Sequence, residues 1–264
     1  GDTVEAIAYE KAGIIKEGAQ VITASQEEGV ARVIAETCRQ RRASLHIVGR
    51  DTLWYAQGHD LLGQSFQMQM SSRRYSLWIP LLGLHQVENA AVAVACAEAL
   101  GRVGFPIDSE TIARGLQGVV WPGRLEILGR QPLVVADGAH NRQAMSRVAQ
   151  AMQDYFSYER LFLVMGCSAD KNLGGMVEEI APLAYHVCAA PSRHPRALPA
   201  RRIADDFIAM GISATAHDEV NKALDAALQR ARPKDLVLAT GSLFLAAEVK
   251  EAVKGINPEI YWEY

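Results

Sequence analysis

Nothing constrains this chain more than the strict alternation of its second half. Short apolar runs at Leu133 to Ala136, Leu161 to Met165, His186 to Ala190, Ile212 to Ala216 and Leu236 to Thr240 are strand-like. They alternate with helix-like stretches at Gln143 to Phe156, Leu173 to Ala184, Pro199 to Met210, Glu219 to Arg230 and Leu243 to Val253. A short continuous apolar run is a strand covered on both faces, whereas a 3.6-residue apolar period is a helix with one buried stripe. Strands separated by whole helices cannot pair as tight hairpins, so they lie parallel. The pattern predicts a doubly wound, Rossmann-like sheet of five strand–helix units.

The first half has a different texture. Val4, Ile7, Ala8 and Ala12 keep helical spacing up to a C-capping Gly13, and Asp2-Thr3-Val4-Glu5 resembles a capping box. A strand over Gln20 to Thr23, a helix over Glu27 to Arg41 and a strand over Leu45 to Val48 follow. Between Thr52 and Pro80 the alternation Phe66-Gln67-Met68-Gln69-Met70 predicts antiparallel strands with one wet face. Helices return at Val87 to Leu100 and Ser109 to Gly118. The turn-forming Trp121-Pro122-Gly123-Arg124 then divides the chain into domains 1–121 and 122–264, in line with a prior of about 150 residues per domain.

Composition removes several classes. With 49% apolar and 22% charged residues the chain can bury a core, which excludes disorder. A formal charge of −3 and the lack of a basic patch exclude nucleic acid as a partner. The longest apolar-looking stretch, Ala90 to Leu100, is far short of the roughly 20 residues that span a bilayer, so no membrane span is expected. Cys38, Cys96, Cys167 and Cys188 form no C-x-x-C pair and read as buried thiols of a reducing compartment, the cytoplasm.

Ligands of open α/β sheets bind beyond the carboxyl ends of the strands. Those positions hold Asp137-Gly138-Ala139-His140-Asn141, Gly166-Cys167-Ser168-Ala169-Asp170-Lys171, Pro191-Ser192-Arg193-His194-Pro195-Arg196 and Gly241-Ser242. Polar residues therefore converge on one rim, although strand-end loops are polar in any protein. In the first half, Glu10-Lys11-Ala12-Gly13-Ile14-Ile15-Lys16 could be no more than a charged helix end. His85 and Asn89, four apart, share a face at a helix start.

Taken in order, EKAGIIK (Glu10 to Lys16), LLGLHQVENAA (ending at Ala91), WPGRLE (Trp121 to Glu126), DGAHN (Asp137 to Asn141), DK (Asp170, Lys171) and GS (Gly241, Ser242) resemble one family across essentially the whole chain. That family is folylpolyglutamate synthase with the bifunctional dihydrofolate synthase, in the Mur ligase superfamily. The resemblance implies an α/β fold: the back part of a Mur-ligase-type ATPase domain, with a mixed sheet containing antiparallel strands, followed by a Rossmann-like C-terminal domain. It also implies an ATP- and Mg²⁺-dependent ligase that joins L-glutamate to a folate or to dihydropteroate through an acyl phosphate, acting as a cytoplasmic monomer.

Residue by residue, Lys11 matches the lysine that the family carries as a carbamate, whose hard oxygens suit Mg²⁺. Asn89 matches the adenine-contacting asparagine, and Arg124 the arginine that reaches the ATP phosphates. Asp137 matches the aspartate that accepts from the ribose hydroxyls, with His140 in the same loop near the nucleotide. Lys171 and Ser242 fall where the superfamily holds the incoming amino acid, and His85 is left as a structural residue.

Two departures stand out. Arg142 replaces the proline that usually follows DGAHN; it should cost little and could add positive charge near the phosphates. There is also no G-x-x-x-x-G-K-[ST] loop, and the family's other metal ligands would lie upstream of Gly1. The expectation is a truncated ligase, inactive alone. The alternatives are a Mur-type ligase of cell-wall precursors and a non-catalytic Rossmann-like binding module; without G-x-G-x-x-G after the first strand of the second half, dinucleotide binding is weakly indicated.

Overall fold

The computed structural model describes residues 3–70 and 73–258. Contacts divide the chain into two compact units, Gly1–Pro80 with Leu84–Val120, and Leu81–Gly83 with Trp121–Tyr264.

The first unit opens with α1 (Val4–Ala12), whose N-cap is Thr3: its hydroxyl accepts from the Ala6 N–H at 3.1 Å. Asp2, the first residue of the expected capping box, lies outside the described residues. Strand β1 (Gln20–Ala24), helix α2 (Glu28–Gln40) and β2 (Ser44–Val48) follow, and β1 pairs β2 in parallel. Next, β3 (Leu53–Asp60), β4 (Gly63–Met70) and β5 (Arg73–Ile79) form the expected antiparallel meander. Phe66, Met68 and Met70 are buried and Gln67 and Gln69 exposed, as a period of two requires. The β3–β4 turn is closed by Asp60, whose carboxylate accepts the N–H groups of Leu62 and Gly63.

Helix α3 (Leu84–Arg102) starts three residues before the expected Val87, which places His85 inside its first turn. Its stripe of Ala90, Ala91, Val94 and Ala95 is buried. Helix α4 (Ser109–Gln117) is capped by Asp108, which accepts from the Thr111 N–H at 2.7 Å. Cys96 corrects the reading of four buried thiols: Cys38, Cys167 and Cys188 are buried but Cys96 is exposed, on the α3 face opposite that stripe.

The second unit is the doubly wound domain. Strands β6 (Glu126–Arg130), β7 (Leu133–Ala136), β8 (Leu161–Met165), β9 (Ala184–Ala189), β10 (Ala214–Ala216) and β11 (Leu236–Thr240) form one sheet in the order β10-β9-β8-β11-β7-β6. All neighbours are parallel except β6, which pairs antiparallel with β7. Strand β6 was not foreseen, because Glu126 to Arg130 mixes charge and glycine and is only partly buried at the sheet edge.

The helices are α5 (Arg142–Tyr155), α6 (Leu173–Ile180), α7 (Ala200–Ala209), α8 (Val220–Arg230) and α9 (Leu243–Lys254). The expected helix over Leu173 to Ala184 stops early. Pro182 lacks an N–H, so Ala181–Leu183 close as one 3-10 turn and β9 begins at Ala184 rather than His186. Strand β10 is shorter than expected and starts at Ala214; the Ile212 N–H is bonded back to Phe207 O of α7 at 3.0 Å.

One core layer joins Val134, Ala136, Phe162, Val164, Val237 and Ala239 to Leu224 and Ala227 of α8 and Leu245 and Val249 of α9. Strand parity sends Val135, Leu163, Met165 and Leu238 to the other face. There Met145 and Met152 of α5, Met176 of α6 and Phe207 of α7 are fully buried. Covering both faces aligns the carboxyl ends of β7, β8, β9 and β11, and that rim carries the polar loops.

Candidate functional site

The tightest construction on the rim is at the end of β7. Asp137 is only 4% exposed. Its Oδ2 accepts the Leu125 N–H at 2.9 Å and its Oδ1 the Ala139 N–H at 2.8 Å. Its own N–H donates to Ala239 O at 2.9 Å, and the Gly138 N–H donates to Gly123 O at 2.9 Å. One carboxylate therefore ties the W-P-G-R-L-E and D-G-A-H-N strings into a single knot.

The knot holds Leu125 in the left-handed region at φ +45°, beside Gly123 at +67°. An L-residue pays roughly 1–2 kcal/mol there, and burial of the Leu125 side chain together with the Asp137 bond overrides that cost. At position 138 any larger residue would have to displace the Leu243 and Arg124 side chains. A Cβ there would lie 2.8 Å from Leu243 Cδ1 and 3.0 Å from Arg124 Nη1.

Arg124 lies across this backbone with Nη1 donating to Gly123 O at 3.2 Å. His140 is exposed, and its Nδ1–H donates to Gly138 O at 2.9 Å. Burial pushes the Asp137 carboxyl above its ordinary range, opposed by the two backbone N–H groups and by the charges of Arg124 and His140.

At the neighbouring strand ends glycine again permits close approach. A Cβ on Gly166 would meet Ala190 O at 2.6 Å, and one on Gly241, at φ +99°, would meet Gly166 O at 2.3 Å. Ser242 is 4% exposed and caps α9, its Oγ accepting from the Phe244 N–H at 3.2 Å while its own proton stays available. The His194 ring stacks on Phe244 at 4.1 Å between centroids. Lys171 follows β8, with Nζ 2.9 Å from Asp170 Oδ2, just ahead of Asn172, the N-cap of α6. Thr240 ends β11, and its hydroxyl is buried without a hydrogen-bond partner.

Arg142 does not add charge to this rim in the way its position suggested. Its guanidinium is engaged by Glu179, with Nε at 2.8 Å, and by Glu178 at 3.2 Å.

The first unit holds the other two candidates. Lys11 is exposed in the last turn of α1 and lines a cleft of about 450 Å³ that is otherwise largely apolar, with Ile7, Ile15, Val21, Ile22 and Ile34 among its walls. Asn89 is exposed on α3, its Nδ2 donating to Gln86 Oε1 at 3.1 Å. Among the described residues no group of three or more His, Cys, Asp or Glu side chains is arranged to hold a metal ion. Thus Arg124, Asp137 and His140 meet at one strand end, Lys171 and Ser242 sit at two others of the same sheet, and Lys11 and Asn89 occupy separate elements of the first unit.

Residues 123–243 match the family described as Mur ligase, glutamate ligase domain. The chain is 29% identical over 257 residues to the dihydrofolate synthase/folylpolyglutamate synthase of Bacillus subtilis, covering 96% of this chain and 59% of that protein. It is 32% identical over 259 residues to the folylpolyglutamate synthase of Lacticaseibacillus casei, covering 97% and 59%. Through residues 123–243 the chain carries the glutamate ligase domain of the Mur ligases. Among solved structures, the folylpolyglutamate synthase of Mycobacterium tuberculosis complexed with ADP superposes with a TM-score of 0.90 at 26% identity, over 98% of this chain and 61% of that one. The chain thus spans about three fifths of the length of these relatives.

Proposed function

We propose that this chain is the portion of an ATP-dependent folate:glutamate ligase that holds the nucleoside and the incoming glutamate. The observation that carries this reading is the Asp137 knot: a buried carboxylate fixing two motif loops at a strand end, in a chain that superposes on a folylpolyglutamate synthase complexed with ADP. In the reaction, a carboxylate of the folate or dihydropteroate attacks the γ-phosphorus of ATP and releases ADP. The amine of L-glutamate then adds to the acyl carbon, and loss of inorganic phosphate and a proton leaves an amide.

This chain's residues serve positioning and charge neutralisation. Asp137 keeps acceptor capacity on both oxygens beyond its two backbone bonds, enough for ribose hydroxyls. Arg124 spends one donor on Gly123 O and keeps the others for phosphate oxygens. His140 lies in the same loop, and Asn89 offers its amide to the adenine edge. Lys171 and the Ser242 hydroxyl meet the glutamate carboxylates. Lys11, as a carbamate, would supply oxygen to Mg²⁺. Mg²⁺ demands about six hard ligands, which the described residues do not assemble.

The folate reading is favoured over a cell-wall ligase by EKAGIIK and HQVENAA together with the names of the relatives. Titration calorimetry of the chain with ADP and with NAD tests the nucleotide site. ADP should bind, and Arg124→Ala should weaken it; NAD binding in its place would overturn the reading in favour of a dinucleotide module.

A further inference from the structure

The loops after β8 and β9 are zipped together by backbone. The Ala169 N–H donates to Arg196 O at 2.8 Å, the Leu198 N–H donates to Cys167 O at 2.7 Å, and Ser168 forms an antiparallel bridge with Ala197. These bonds fix Asp170-Lys171 opposite Arg196 without help from their side chains. Between the two cations lies one carboxylate oxygen: Asp170 Oδ2 is 2.9 Å from Lys171 Nζ and 3.9 Å from Arg196 Nη1.

Two positive groups against one negative group leave a charge of +1 in the notch, beside the N-terminus of α6 with its positive dipole end. Arg193 of the same loop is instead committed to Glu248 and Glu251 of α9.

We propose that Asp170 is an internal stand-in for a ligand carboxylate, and that the Lys171–Arg196 notch it occupies receives the side-chain carboxylate of the incoming acidic amino acid. This rests on the assignment of glutamate to this rim. It adds Arg196 as a specificity-determining residue and makes Asp170 a competitor that swings aside on binding. The exchange costs little, because side chains 36%, 42% and 64% exposed form a weak, screened ion pair. A carboxamide carries no charge to compete with Asp170, so the notch selects glutamate over glutamine. A guanidinium offers a carboxylate two parallel donors where the 3.9 Å contact to Asp170 makes no hydrogen bond.

The test is an amide-resolved NMR titration of the ¹⁵N-labelled chain with L-glutamate, L-glutamine, inorganic phosphate and ADP, using folded spectra as the control for each variant. Glutamate should shift the amides of 168–172 and 196–198 and glutamine should not. Asp170→Asn should tighten glutamate by about two- to fivefold, the size of an exposed ion pair. Arg196→Ala should weaken it by roughly tenfold and Arg196→Lys by less, with ADP affinity unchanged in all three variants.

Weaker or unchanged glutamate binding in Asp170→Asn would mean that Asp170 positions Lys171 rather than competes, and would overturn the proposal while leaving the wider reading intact. Phosphate shifting these amides more strongly than glutamate would likewise reassign the notch. No glutamate binding by the parent chain would overturn the proposal together with the glutamate site, and the ADP titration would then judge the nucleotide site separately.

Discussion

Replacing Asp137 probes the knot that organises the rim. Asp137→Ala leaves the Leu125 and Ala139 N–H groups buried without an acceptor. Each such loss costs about 1–3 kcal/mol, so the second unit should lose about 2–6 kcal/mol. Asp137→Asn keeps one carbonyl acceptor and turns an NH₂ toward the other N–H, so about half of that loss is expected. An opposing effect is relief of the burial that raises the Asp137 pKa. Two orphaned donors and the left-handed Leu125 released from its anchor should outweigh it. Amide hydrogen exchange in β8 and β11 reads the second unit alone, at about tenfold in protection per 1.4 kcal/mol. Asp137→Asn at or above wild-type protection would refute the reasoning, because the carboxylate would then be a net burden on the fold.

Further outcomes follow from other residues. Thr240→Val removes a buried hydroxyl that has no partner and keeps its shape, so protection in β11 should be unchanged or rise by up to about 1–2 kcal/mol; a loss would reveal a hidden hydrogen bond. Gly241→Ala, at φ +99° with its Cβ 2.3 Å from Gly166 O, should fail to fold the second unit at 37 °C, read as lost chemical-shift dispersion. His186 accepts at Nε2 from the Arg230 guanidinium, and burial and Arg230 hold its pKa below the ordinary value. The unfolded chain, titrating near the usual 6.5, therefore binds the proton first. Stability is complete above that pH and declines as pH falls toward the lowered folded value, by about 1.4 kcal/mol per pH unit per histidine, with His217 adding in the same direction. His186→Gln should flatten the decline in urea midpoint between pH 7 and 5; an unaltered slope would exclude His186 as its source.

The second unit was legible because its strands are buried on both faces. Leu133–Ala136, Leu161–Met165 and Leu236–Thr240 stand where the apolar runs placed them. The failures have local causes: a proline cut short the α6 helix, and a charged edge strand, β6, carried no apolar run. The site was half legible. Asp137, Lys171 and Ser242 follow from the rule that ligands gather at strand ends, but the bond from Leu125 to Asp137 and the Asp170–Arg196 contact join residues far apart in sequence, which no local pattern reveals. The positive φ of Leu125 was hidden because leucine gives no hint of a left-handed turn; the preceding Pro-Gly was the only signal.

The most direct test of the central claim is a glutamate-transfer assay of the protein, supplied with ATP, Mg²⁺, tetrahydrofolate and labelled L-glutamate. The account predicts one ADP and one phosphate released per glutamate joined to the folate, and loss of that product in Lys11→Ala. ATP turnover that responds to a muramoyl peptide but not to folates, or full activity in Lys11→Ala, would contradict it.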